Sequence, residues 1–151
     1  MGRTSMSLIL LGLFSGAAIA IQSGVNARLR QELSSPLQAA LVSFFVGTVA
    51  LALVVALTAR RWPEGAVAAL PWWAWTGGLL GALYVSVAVL LAPRIGALAL
   101  VGLGVSGQML MAIVLDHFGW LGFSRLPIST PRVAGALLLL GGMLLVMRRG
   151  G

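Results

Sequence analysis

The sequence predicts an all-α membrane protein of five transmembrane helices. Three observations carry that reading. Of the 151 residues, 60% are apolar and only 9% are charged, against about 25% charged in a soluble domain, so a globule of this size could not cover its own core. The apolar residues come in continuous blocks instead of alternating, and a continuous block satisfies its backbone in lipid only as a helix. Cut at charges and prolines, the blocks have roughly the 17 to 25 residues that a bilayer crossing needs. Disorder is excluded by the same arithmetic, because it requires low hydropathy and high charge.

The first block, 6–25, follows Arg3 and imitates a cleavable signal peptide at Ala18-Ile19-Ala20. Its helical pattern runs on through Gln22 to Val25, which predicts a retained helix. The second, 36–57, opens on Ser35-Pro36, with proline in the first turn where its missing N–H costs nothing. The third, 72–91, follows Leu70-Pro71. Only Ala92-Pro93-Arg94 separates it from the fourth, 95–115, so these two are expected to form an antiparallel hairpin. Residues 118–127 mix glycine, aromatics and Arg125 and read as an interfacial loop. The fifth block, 133–147, is announced by Thr130-Pro131. At ~1.5 Å per residue it reaches only roughly 22 Å, so Arg132 and Arg148 must snorkel. Pro63, Pro93 and Pro127 fall between spans, and no proline is expected to interrupt a helix.

The chain has no cysteine, a single histidine (His117), three acids (Glu32, Glu64, Asp116) and a net charge of +7. These exclude a disulfide framework, a thiol nucleophile and a zinc-thiolate site. No P-loop, dinucleotide fingerprint or activated serine is present, so the expectation is no enzyme, no cofactor and no metal. The arginines punctuate apolar runs instead of clustering, which argues for span caps and against nucleic acid.

With five spans the termini lie on opposite sides. One side then holds Arg3, Arg60, Arg61, Arg125 and Arg132, and the other Arg28, Arg30, Arg94, Arg148 and Arg149. Five against five gives no orientation signal. All the tryptophans (Trp62, Trp72, Trp73, Trp75, Trp120) fall on the N-terminal side. Two inverted copies would supply an aromatic belt at both interfaces. The expectation is dual topology and an inverted homodimer of ten helices, the pseudo-symmetry on which alternating access commonly rests.

Gly12, Gly16, Ala20 and Gly24 form a small-residue stripe on the first helix, suited to close approach by another backbone. Ser15, Gln22 and Asn26 share a face beside it. Gln22 reads either as the wall of a substrate cavity or as interhelical glue, and Asn26 as a cap or a loop contact as well as a cavity candidate. Ser43 either faces a cavity or bonds back to its own helix, with Thr48 alongside. Tyr84, between glycines, is either a packed aromatic or a substrate platform. Gln108 lies in a run of Gly102, Gly104, Ser106 and Gly107 that permits close packing or a cavity lining. Asp116 ends the fourth span, where the helix dipole disfavours a carboxylate. It reads as a proton-coupling group or as the partner of Arg60, Arg61 or Arg125.

The strings IQSGVNARL (21–29), Ser35-Pro36, ALVSF (40–44) with Gly47, Tyr84-Val85, LAPRIG (91–96), Gly107-Gln108 and LDHFG (115–119) together resemble the YdcZ-type inner-membrane family of the drug/metabolite transporter superfamily. The likeness runs from about residue 8 to 147. It implies a bacterial five-helix protein of about this length, in a family that functions as dimers or as fused ten-helix relatives. Related small multidrug-resistance proteins use a membrane-embedded glutamate in the first helix, where this sequence has Gln22 and no acid. The resemblance implies membership of a transporter superfamily and no particular substrate. With the reading of the helix faces, the expectation is a small-molecule transporter working by alternating access at a dimer-midplane cavity, largely uncharged, with Gln22, Asn26, Ser43, Tyr84 and Gln108 as its candidate lining. The alternative is a non-transporting scaffold or accessory subunit in which these residues are packing glue.

Overall fold

The computed structural model describes residues 6–58 and 70–148. Arg3, Arg60, Arg61, Trp62, Pro63, Glu64 and Arg149, used in the counts above, lie outside the described residues. Five helices are long and apolar enough to cross a membrane: α1 (Met6–Leu33), α2 (Pro36–Thr58), α3 (Thr76–Ile95), α4 (Ala97–Phe118) and α5 (Thr130–Met147). The chain divides into two compact units, Met1–Arg94 and Ile95–Gly151.

In the first unit α1 runs for 28 residues, about 42 Å at 1.5 Å per residue, eight residues beyond the expected span. The hydropathy cut at Arg28 marks where lipid ends, not where the helix ends. Arg, Gln, Glu and Leu are good helix formers, and Arg28 and Glu32 form an i,i+4 ion pair at 2.7 Å on the extension. Ser34, with φ +58°, reverses the chain. The Ser35 carbonyl then accepts from Ala39 N–H at 3.1 Å and Pro36 opens α2, as the sequence predicts. With only Ser34 and Ser35 between them, α1 and α2 form a hairpin and pack on one another.

One turn of 3₁₀ helix, Trp72–Trp75, leads into α3. Contrary to expectation, α3 does not stop at Leu91 but carries Pro93 inside its last turn. Proline lacks the N–H that would bond the carbonyl four residues back, here Val89. Arg30 of α1 supplies a donor instead. Its Nη1 donates to the Val89 carbonyl at 3.3 Å and to that of Leu90 at 3.4 Å. The guanidinium also complements the negative end of α3. Beside this clamp Ala39, Ala40, Val85 and Val89 form the core of the unit, with Leu29 packed against them. Arg30→Gln is therefore expected to lower thermal stability by about 1 kcal/mol, the net worth of such a bond. In Pro93→Ala, where the backbone N–H is restored, the same substitution should cost less. A double-mutant cycle by thermal unfolding in detergent measures the difference; full additivity would separate Arg30 from the proline.

In the second unit α4 and α5 pack along each other. Gly96, just before α4, has φ +81° and ψ 163°, a region essentially reserved for glycine. The Met143 thioether lies over Gly102, filling the space a Cβ would need, and Ala136, Ser106 and Leu100 are buried nearby. Between the helices Gly119 takes a left-handed conformation and Leu126 N–H returns to the Asp116 carbonyl at 2.7 Å. The loop thereby folds back on the end of α4. The helix α5 begins at Thr130, with Pro131 in its first turn, three residues earlier than the hydropathy block. Its 18 residues reach about 27 Å, which nearly matches a ~30 Å hydrocarbon core.

Candidate functional site

Hydroxyls on membrane helices usually bond back to a carbonyl of their own turn, and most here do. Ser15 donates to the Gly12 carbonyl at 2.8 Å, Ser23 to Ile19 at 2.9 Å, Thr48 to Phe44 at 2.8 Å, Ser86 to Ala82 at 2.8 Å and Ser106 to Gly102 at 2.7 Å. The Ser43 hydroxyl makes no such bond, so of its two readings the back-bonded one is not realised. Ser43 faces a recess of about 200 Å³ between α1 and α2, lined by Gln22, Ser43, Phe44, Gly47, Thr48 and Leu51. The Gln22 amide likewise has no hydrogen-bond partner among the described residues. The hairpin brings the two together: α2 returns along α1, so positions on either side of the Ser34–Ser35 reversal meet.

Local packing shapes this recess. Gly47 leaves its floor open, with nothing near the position of a Cβ. Phe44 forms a wall, and Gly81 of α3 admits its ring: a Cβ there would lie 3.4 Å from it. Sequence reading picked out Gln22, Ser43, Gly47 and Thr48 by their polarity or small size. It missed Phe44 and Leu51, whose apolar side chains carry no signal against an apolar span.

The other candidates fall elsewhere. Asn26 is only 4% exposed, but α1 continues to Leu33, so it caps no helix end and does not line the recess. Tyr84 is 37% exposed on α3, also outside it. Gln108 belongs to the second unit and is exposed on α4.

Among the described residues Asp116 pairs with an arginine outside the expected set, of which Arg60 and Arg61 lie outside the described residues. Its Oδ2 accepts from Arg132 Nη2 in an ion pair joining the end of α4 to the start of α5. Arg132 Nη1 also donates to the Leu126 carbonyl at 3.1 Å. Arg125, one of the expected partners, instead donates through Nε to the His117 carbonyl at 3.3 Å, while His117 Nδ1 accepts from Ile128 N–H at 3.3 Å. The reason is the folded-back loop, which places the first turn of α5 against the last turn of α4. The pair borders a second recess of about 310 Å³, otherwise largely apolar, with Met109, Ile113, Ala136 and Leu139 among its walls. Among the described residues no group of acids, histidines or cysteines could hold a metal.

Five apolar spans, with an amide and a hydroxyl that share one recess, suit a chain that passes solutes through a bilayer. Over residues 7–145 the sequence matches the family described as "Putative inner membrane exporter, YdcZ". The chain belongs to the YdcZ family. No curated protein and no solved structure matches it significantly. The match runs from the first turn of α1 to the last turn of α5 of this YdcZ chain. It is a multi-pass inner-membrane protein and, in general terms, a membrane transporter.

Proposed function

We propose that this YdcZ chain exports a small polar molecule by alternating access, binding it at the Gln22–Ser43 recess. One observation carries the reading: an amide and a hydroxyl with no hydrogen-bond partner among the described residues line the same recess between two spans. Unpaired polar groups in a membrane span are expensive and mark solute pathways. The recess contains no charge, so recognition rests on hydrogen bonds and shape. The recess is partly open at the surface of the α1–α2 hairpin, and a second copy closes it. The balanced arginines and one-sided tryptophans of the sequence support an inverted arrangement of the two copies.

Gln22→Leu tests this reading. The substitution removes the amide's donors and acceptor at similar bulk. Ligands that raise the melting temperature of the purified parent protein should lose most of that effect, at least tenfold in apparent affinity, while the unliganded protein melts normally. A scaffold in which Gln22 is interhelical glue gives the opposite pattern: a loss of about 1 to 3 kcal/mol in the unliganded protein and no ligand-dependent difference.

A further inference from the structure

Because α1 is about 42 Å long by its 28 residues, its last turns project past a ~30 Å hydrocarbon core into the headgroup layer. There a recess of about 330 Å³ is lined by Ala27, Arg30, Gln31, Ser34 and Pro93. Every residue lies in the first unit.

The polar side chains that line this recess offer mainly hydrogen-bond donors. Arg30 spends Nη1 on the two α3 carbonyls, and its Nε and Nη2 make no bond among the described residues. Gln31 Oε1 accepts from Arg28 Nη1 at 2.9 Å, which leaves the amide NH₂ as the free end. The Ser34 hydroxyl makes no hydrogen bond among the described residues. No carboxylate lines the recess. Glu32, the nearest acid in sequence, is engaged by Arg28. A half-buried guanidinium with spare donors, an amide NH₂ and a hydroxyl around one hollow match the acceptor-only oxygens of a phosphate.

We propose that this recess binds a phosphate group, which at this depth is the phosphodiester of a phospholipid headgroup. The Ala27 and Pro93 walls take the glycerol side and the donors take the oxygens. This site is distinct from the Gln22–Ser43 recess and does not depend on the transport reading.

Arg30→Gln is a poor test alone, since it also releases the α3 carbonyls. Gln31→Glu is the better variant. It keeps an acceptor for Arg28 and leaves the Arg30 clamp untouched, but it replaces the NH₂ donor with an anionic oxygen. Gln38→Glu, an exposed change of equal charge outside the recess, is the control. Purified protein in detergent is titrated with phosphatidylglycerol, with phosphatidylcholine and with inorganic phosphate, and followed by native mass spectrometry and melting temperature. The expected result is phospholipid adducts and a raised melting temperature in the parent and in Gln38→Glu, with at least tenfold weaker binding in Gln31→Glu. Protection by inorganic phosphate with the same dependence on Gln31 also supports the phosphate site and assigns its source to a free anion. Equal lipid binding by parent and Gln31→Glu, or equal weakening in Gln31→Glu and Gln38→Glu, overturns the proposal.

Discussion

Gly16→Leu is expected to break the proposed dimer while leaving the isolated chain no worse. Within the chain nothing described lies within 4 Å of a Cβ built at Gly12, Gly16 or Gly24, so leucine meets no obstacle there. It should even stabilise α1, because glycine is about 1 kcal/mol poorer than the best helix formers. Any loss must come from a second copy whose backbone approaches the stripe. Overpacking costs roughly 1 to 3 kcal/mol per site, and the stripe occurs once in each copy, so dimerisation should weaken by at least tenfold. Chemical crosslinking or single-molecule photobleaching in liposomes reads the result. An unchanged dimer would place the stripe against lipid. Thiol labelling of Gly2→Cys and of Gly150→Cys in whole cells should find each terminus on both sides of the membrane, as five arginines against five predict.

Asp116→Asn should have the second largest effect, and on folding. Arg132 holds Asp116 and the Leu126 carbonyl together, which ties α4 to the loop and to α5. Removing the acid leaves the guanidinium without its charged partner, at a cost of about 2 kcal/mol, typical of a hydrogen bond between charged groups. Exchanging the two residues, Asp116→Arg with Arg132→Asp, should recover part of it. Folded Asp116→Asn protein should still transport in response to a pH gradient, because a carboxylate committed to a structural pair is not the proton carrier. Normal stability with loss of the gradient response would reverse that assignment.

Much of this architecture was legible because lipid enforces it. Blocks of apolar residues located all five helices, and Pro36 and Pro131 marked two starts that the structure reproduces. The errors share a physical origin. Hydropathy reports where lipid is, whereas a helix continues wherever its backbone is satisfied. Thus α1 passes its charges because Arg28 and Glu32 support each other, and α3 passes Pro93 because Arg30, distant in sequence, serves the orphaned Val89 carbonyl. Gln22 and Ser43 could be nominated separately as polar residues in spans. That they meet follows from the two-residue reversal after Leu33. The Arg132 partner of Asp116 was hidden for another reason: the folding back of 119–129 depends on left-handed residues at Gly119 and Leu121, and leucine gives no sequence signal for that conformation.

The central claim is that the Gln22–Ser43 recess is a solute pathway reached by water. The chain has no cysteine, so Ser43→Cys introduces a unique thiol of nearly the same size. Phe45→Cys, two residues on and 67% exposed on the chain's apolar surface, is the matched control at the same depth. In proteoliposomes a charged, membrane-impermeant thiol reagent should modify Cys at 43 and leave Cys at 45 untouched, while a lipid-soluble maleimide modifies both. Modification of position 43 by the lipid-soluble reagent alone would show a recess that water never enters, and would contradict the account.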